Sequence, residues 1–231
     1  MDRRWVLAFM GMLTVVGWQV PWGAQALFPF TLLATYVHEM GHGLTALLLG
    51  GEFRSLVLHP DGSGTAFSTN SGSLAAAAVA AGGLLGPSIL GGGLLAASRR
   101  PSAARWWLLM GGIVMAASLV LVVRNGFGVA FVGAGAAILI AVARYRPRWS
   151  PFVLRLLAVQ MALSIFRDVD YMFSPGALLD GVPRISDSQA MAEALFLPYW
   201  FWGGLTAGLA LMALGLGAWV AFRRPAKRSQ S

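Results

Sequence analysis

The chain is 231 residues long, 57% hydrophobic and 11% charged, with a mean hydropathy of +0.69, a balance that excludes an ordinary soluble domain and requires lipid as solvent. Its formal net charge of +8 is gathered in short clusters and a tail rather than a stripe, so it reads as a topology signal and excludes a nucleic-acid partner. Cysteine is absent, which excludes disulfides and thiolate metal sites and leaves His and carboxylate as the only metal ligands.

In chain order, the apolar run 5–20 is stopped by Pro21. No small-x-small cleavage site ends it and membrane-like sequence follows, so it reads as a retained first span rather than a signal-peptide core. The second run, 27–49, ends at Gly50-Gly51, a pair suited to helix termination. Segment 52–70 changes character: Phe53, Leu56, Val57 and Leu58 precede the turn cluster Pro60-Asp61-Gly62-Ser63-Gly64, and Thr65, Phe67 and Thr69 follow it. That pattern predicts a β-hairpin. Further runs lie at 74–97, 106–123, 129–143, 152–173 and 196–222.

The expectation is an all-α polytopic membrane protein with about six or seven transmembrane helices, the hairpin following the second. Residues 1–231 form a single membrane-embedded domain. Segment 174–195 carries Asp180, Asp187 and Glu193 without an apolar face, predicting a polar loop with a short helix near Asp187. Basic groups at Arg99, Arg100 and Arg105, at Arg144, Arg146 and Arg148, and in the tail 223–231 fall on one face, which the positive-inside rule makes cytoplasmic. The side on which Arg3 and Arg4 lie stays open.

The second helix carries His38-Glu39-Met40-Gly41-His42. Helical residues advance about 100° each, so the two imidazoles stand about 40° apart on one face and can share one metal ion. Glu39 projects beside them, placed to act as general base on a metal-activated water. His38 sits near mid-bilayer, where an ionised side chain costs about 2.5–3.5 kcal/mol. The motif therefore reads as a zinc site rather than as incidental polar residues. His59, in the hairpin, reads as a turn residue.

A catalytic zinc generally takes a third protein ligand. In the sixth run Gln160, Ser164, Arg167, Asp168 and Tyr171 follow helical spacing and form one polar stripe facing the protein interior. Asp168 lies on that stripe and is the leading metal-ligand candidate. Asp170 is about 200° further round. Asp187 is a third candidate, with a helix-capping role at Ser186 or Asp187 as its alternative. Gly82 and Gly86 form a small-x-x-x-small pair suited to close packing on the zinc helix. Arg124-Asn125 reads as a loop pair rather than an oxyanion donor.

The zinc motif on an early hydrophobic helix, the Gly-rich hairpin, Ala81-Gly82-Gly83-Leu84-Leu85-Gly86-Pro87, Arg124-Asn125-Gly126-Phe127-Gly128 and Ile185-Ser186-Asp187-Ser188 together resemble the site-2 protease superfamily. More narrowly, they resemble its small bacterial branch without appended domains. The resemblance implies cleavage of substrates in or near the membrane, with His38 and His42 as zinc ligands, Glu39 as general base, and Asp168 or Asp170 as third ligand.

The expected function is thus that of an intramembrane zinc metalloendopeptidase in the cell membrane. Its partners are a membrane-anchored protein substrate and the lipid bilayer. A metal transporter and a catalytically inactive zinc-binding receptor are the alternatives, since intramembrane His and Asp also mark ion pathways.

Overall fold

The computed structural model describes residues 3–179 and 182–223; the tail beyond Arg223 and Asp180 lie outside the described residues. The elements run α1 (Arg3–Trp18), α2 (Pro21–Leu48), β1 (Glu52–Leu58), β2 (Gly64–Thr69), α3 (Ser73–Ala97), α4 (Pro101–Leu121), α5 (Gly126–Tyr145), α6 (Ser150–Met172), β3 (Gly176–Leu179), β4 (Val182–Ile185), α7 (Asp187–Leu195) and α8 (Tyr199–Phe222).

Among the described residues, five helices are long and apolar enough to cross a membrane: α3, α4, α5, α6 together with the turn before it, and α8. Large apolar side chains such as Leu121, Ile138, Leu211 and Trp219 stand exposed on their outer faces. Lipid tolerates these surfaces and water does not.

The first two runs do not make two separate spans. Helices α1 and α2 are bent by 118° at the break between them, so the spans number five, or six if the bent pair counts as one. Two local features permit it. With 16 residues, α1 is about 24 Å long at 1.5 Å per residue, short of a roughly 30 Å hydrocarbon core. Pro21 then occupies the first turn of α2, where its missing N–H costs nothing, and restarts the helix in a new direction.

Helix α3 is the central strut, packed against α2, α6, α7 and α8. Its glycines permit this. A Cβ on Gly82 would meet Thr45 Oγ1 at 2.1 Å, and one on Gly41 of α2 would meet the Gly82 carbonyl oxygen at 2.2 Å. Gly86 likewise faces the Val37 carbonyl. The small-residue pair therefore packs on the zinc-motif helix as its spacing predicts.

The predicted hairpin forms from β1 and β2, which pair antiparallel with Leu56 opposite Ala66 and Leu58 opposite Gly64. Asp61 at its turn accepts from Ser63 N–H at 2.9 Å, and that bond holds its carboxyl below the usual range. On its other side β1 bonds the α4–α5 connection: Leu56 N–H donates to the Val122 carbonyl at 2.8 Å, and the Leu56 carbonyl accepts from Arg124 N–H at 3.1 Å. Asn125 continues the pattern, donating to the Leu58 carbonyl at 2.6 Å and accepting from Leu58 N–H at 3.2 Å. Arg124-Asn125 thus extends a sheet. With β1 covered on both sides, the outer edge of the hairpin belongs to β2.

Segment 174–195 is more ordered than a polar loop. It holds a second antiparallel pair, β3 with β4, and then α7. The short helix begins where the sequence places it, capped by Ser186, whose hydroxyl accepts from Gln189 N–H at 3.1 Å.

Short links make α3, α4, α5 and α6 alternate in direction. The links carrying Arg99–Arg100 and Arg146–Arg148 therefore lie at one end of the bundle. Both hairpins and α7 lie at the other.

Candidate metal centre

His38, Glu39 and His42 lie on α2, one turn apart on the side facing α3 and the hairpin. His42 is oriented first. Its Nδ1 stands 2.8 Å from the Val79 carbonyl of α3, an acceptor only, so Nδ1 carries the proton and Nε2 presents a lone pair. Gly83 makes room for the ring, since a Cβ there would meet His42 Cε1 at 2.2 Å and Nε2 at 2.3 Å. Gly83→Ala should therefore displace the imidazole while α3 stays helical. The expected result is a 10- to 100-fold loss of zinc affinity, the range for lost support of a ligand, read by titration with a fluorescent zinc competitor.

The His42 lone pair faces His38 Nε2 at 3.0 Å. Asp187, the first residue of α7, completes the group: its Oδ2 lies 3.0 Å from His38 Nε2 and its Oδ1 3.4 Å from His42 Nε2. Four-coordinate zinc with bonds of about 2.0–2.1 Å has ligand–ligand edges of about 3.3 Å; here the imidazole nitrogens stand 3.0 Å apart, and a different Asp187 oxygen faces each of them. Asp187 Oδ2 is buried without an aligned hydrogen-bond donor, which a metal would relieve. Among the described residues, these three form the group of side chains able to hold an ion, with ligand atoms all within 4.8 Å of one another. Two imidazoles and a carboxylate fit zinc and leave a position open.

Two hydrogen bonds fix the Asp187 backbone. Ser186 Oγ donates to the Ser174 carbonyl at 2.5 Å, and Asp187 N–H donates to Tyr171 Oη at 3.2 Å. The hydrogen bonds that cap α7 therefore also aim the ligand.

The structure thus brings Asp187, and neither Asp168 nor Asp170, to the two imidazoles. The polar stripe on α6 does face inward: Ser164, Arg167, Asp168 and Tyr171 line a cavity of about 270 Å³ with His38 and Glu39. At the level of the imidazoles, however, α6 presents Tyr171, whose ring stands edge-on to His38 at 6.3 Å between centroids. Asp168 sits one turn away, and Asp170 is exposed on another face. Gln160, the fifth member of the stripe, ties α6 to α1 by donating to Thr14 Oγ1 at 2.9 Å. His59 stays in the hairpin turn, its N–H donating to the Ser63 carbonyl.

Glu39 is 7% exposed and stands outside the ligand group. Its Oε2 accepts from Ala66 N–H on β2 at 2.6 Å. A Cβ on Gly64 would come within 2.8 Å of Glu39 Cγ, so glycine at the start of β2 lets the strand close on the carboxylate. The arrangement gives two imidazoles and a carboxylate around one point, with a second carboxylate beside them at the wall of a cavity that Thr31, Thr35, Ser164 and Arg167 also line.

A family model, Peptidase M50B-like, matches residues 6–217. No curated protein and no solved structure matches the chain.

Proposed function

The chain belongs to the Peptidase M50B-like family, and on that footing we propose that it is a zinc-dependent intramembrane endopeptidase cleaving membrane-anchored protein substrates in the cell membrane. The observation that carries this reading is the cluster of His38, His42 and Asp187, whose candidate ligand atoms lie within 4.8 Å of one another, beside a carboxylate, Glu39, that is tied elsewhere.

Zinc held by these residues would supply a water with its pKa lowered to about 7 and a Lewis acid for the scissile carbonyl. The chain's own groups do the rest. Glu39 takes the water's proton and returns it to the leaving nitrogen. The Ala66 N–H bond restrains Glu39 from swinging into the ligand group, and the cavity lined by Thr31, Thr35, Ser164 and Arg167 gives water a polar route. A substrate must arrive extended, because a helix keeps its amides internally bonded. The outer edge of β2, whose Ala66 N–H already points toward Glu39, suits the addition of such a strand.

The test uses the purified full-length protein in lipid vesicles with a panel of single-span reporters. Loading with zinc should produce reporter cleavage, chelation should abolish it, and added zinc should restore it. Zinc crossing the vesicle wall with every reporter intact would replace the peptidase reading with transport.

A further inference from the structure

Catalysis at such a centre leaves one role unassigned: a protein donor for the carbonyl oxygen as negative charge develops on it. The cavity has two walls beside the ligand group. Glu39 stands at the hairpin wall, held by Ala66, and Tyr171 stands on the α6 wall, its ring edge-on to His38. Tyr171 Oη accepts the Asp187 N–H at 3.2 Å. That bond uses a lone pair of the phenol and places its oxygen beside Asp187; the O–H also lies within hydrogen-bond reach of the Asp187 carboxylate, from which it turns to donate to a substrate. Arg167, the other strong donor of this wall, is a turn further along α6 and donates to Thr31 Oγ1.

From this placement we infer that Tyr171 is a further catalytic residue, donating its O–H to the scissile carbonyl oxygen in the transition state; the inference rests on the peptidase reading. In the balanced step, the water oxygen bonds the carbonyl carbon while its proton passes to Glu39. The C–N bond then breaks as that proton reaches the leaving nitrogen. Tyr171 keeps its proton throughout and contributes a hydrogen bond that is stronger in the transition state than in the ground state.

The experiment compares wild type with Tyr171→Phe in the vesicle assay, alongside zinc titration and binding of a peptidyl phosphinate that mimics the tetrahedral geometry. Tyr171→Phe should hold zinc as wild type does and keep KM, while kcat falls by about 10²- to 10³-fold, the cost of one oxyanion donor. Phosphinate affinity should fall with kcat, and the affinity for an uncleaved amide ligand should not. Fluorotyrosine at position 171, which retains the donor, should restore both kcat and phosphinate binding.

An unchanged kcat in Tyr171→Phe overturns the inference. So does a loss that tracks zinc content, because the phenol would then only position Asp187. Failure of wild type itself to cleave any reporter or bind the phosphinate would instead sink the peptidase reading.

Discussion

Asp187→Ala should strip the protein of its metal, whereas Asp168→Asn should leave metal content unchanged. The geometry separates the two residues: Asp187 places one oxygen on each imidazole nitrogen at 3.0 and 3.4 Å, while Asp168 lines the cavity outside the ligand group. Loss of a residue that merely supports a ligand costs 10- to 100-fold in metal affinity, so loss of the ligand itself should exceed about 100-fold. Removing Asp187 also leaves two imidazole nitrogens 3.0 Å apart with nothing anionic between them. Zinc per polypeptide, measured by atomic emission after dialysis against a weak chelator, checks both variants. Metal retained by Asp187→Ala and lost by Asp168→Asn would return the third ligand to α6.

A further control lies in the sequence between β3 and β4. Leu179-Asp180-Gly181 spells the Leu-Asp-Gly tripeptide that supplies the third ligand in the best-known site-2 proteases. Asp180 lies outside the described residues, so Asp180→Ala belongs beside Asp187→Ala in the same measurement. The spacing of Asp187 from both imidazoles predicts that only Asp187→Ala loses zinc.

What was legible in the sequence follows the range of the interactions involved. His38, Glu39 and His42 are one turn of one helix, and a helix fixes their mutual placement without help from the rest of the fold. The β1–β2 hairpin is equally local, with β-forming residues on both sides of a Pro-Asp-Gly turn. The approach of Asp187 to the imidazoles is not local. It depends on where α7 comes to rest against α2 and α6, and that is decided by contacts such as Ser186 with Ser174 and Asp187 with Tyr171.

Helical spacing shows that the polar stripe on α6 is one face, but a face does not say which of its residues stands level with a site on another helix. That level belongs to Tyr171. Asp187 carries a visible signal, Ser186-Asp187-Ser188, and its capping alternative is the same structure seen from the backbone: Ser186 caps the helix whose first side chain joins the two imidazoles. The second hairpin escaped notice because its strands are four residues each, too short for alternation to register. The 118° bend between α1 and α2 is a tertiary choice that Pro21 permits and does not dictate.

Glu39→Gln should leave zinc bound and end catalysis. The substitution keeps the size and the acceptor oxygen that Ala66 N–H uses at 2.6 Å, so β2 stays closed on the site and the ligand group His38, His42 and Asp187 is untouched. What disappears is the capacity to take up a proton, because an amide is neither a base at neutral pH nor an acid toward a leaving amine. A positioned general base contributes about 10²- to 10⁴-fold. Glu39 serves in both the addition and the departure steps, so the loss should lie at the upper end of that range, with KM for the vesicle-anchored reporter nearly unchanged.

Glu39→Ala provides the contrast. It removes the base and also orphans the Ala66 amide, so it should lose stability as well as rate, by about 1–3 kcal/mol for an unsatisfied buried donor, read by a thermal shift absent in Glu39→Gln. Full reporter cleavage by a zinc-loaded Glu39→Gln enzyme would mean that the proton travels by another group. The polar wall of α6 would then have to supply it.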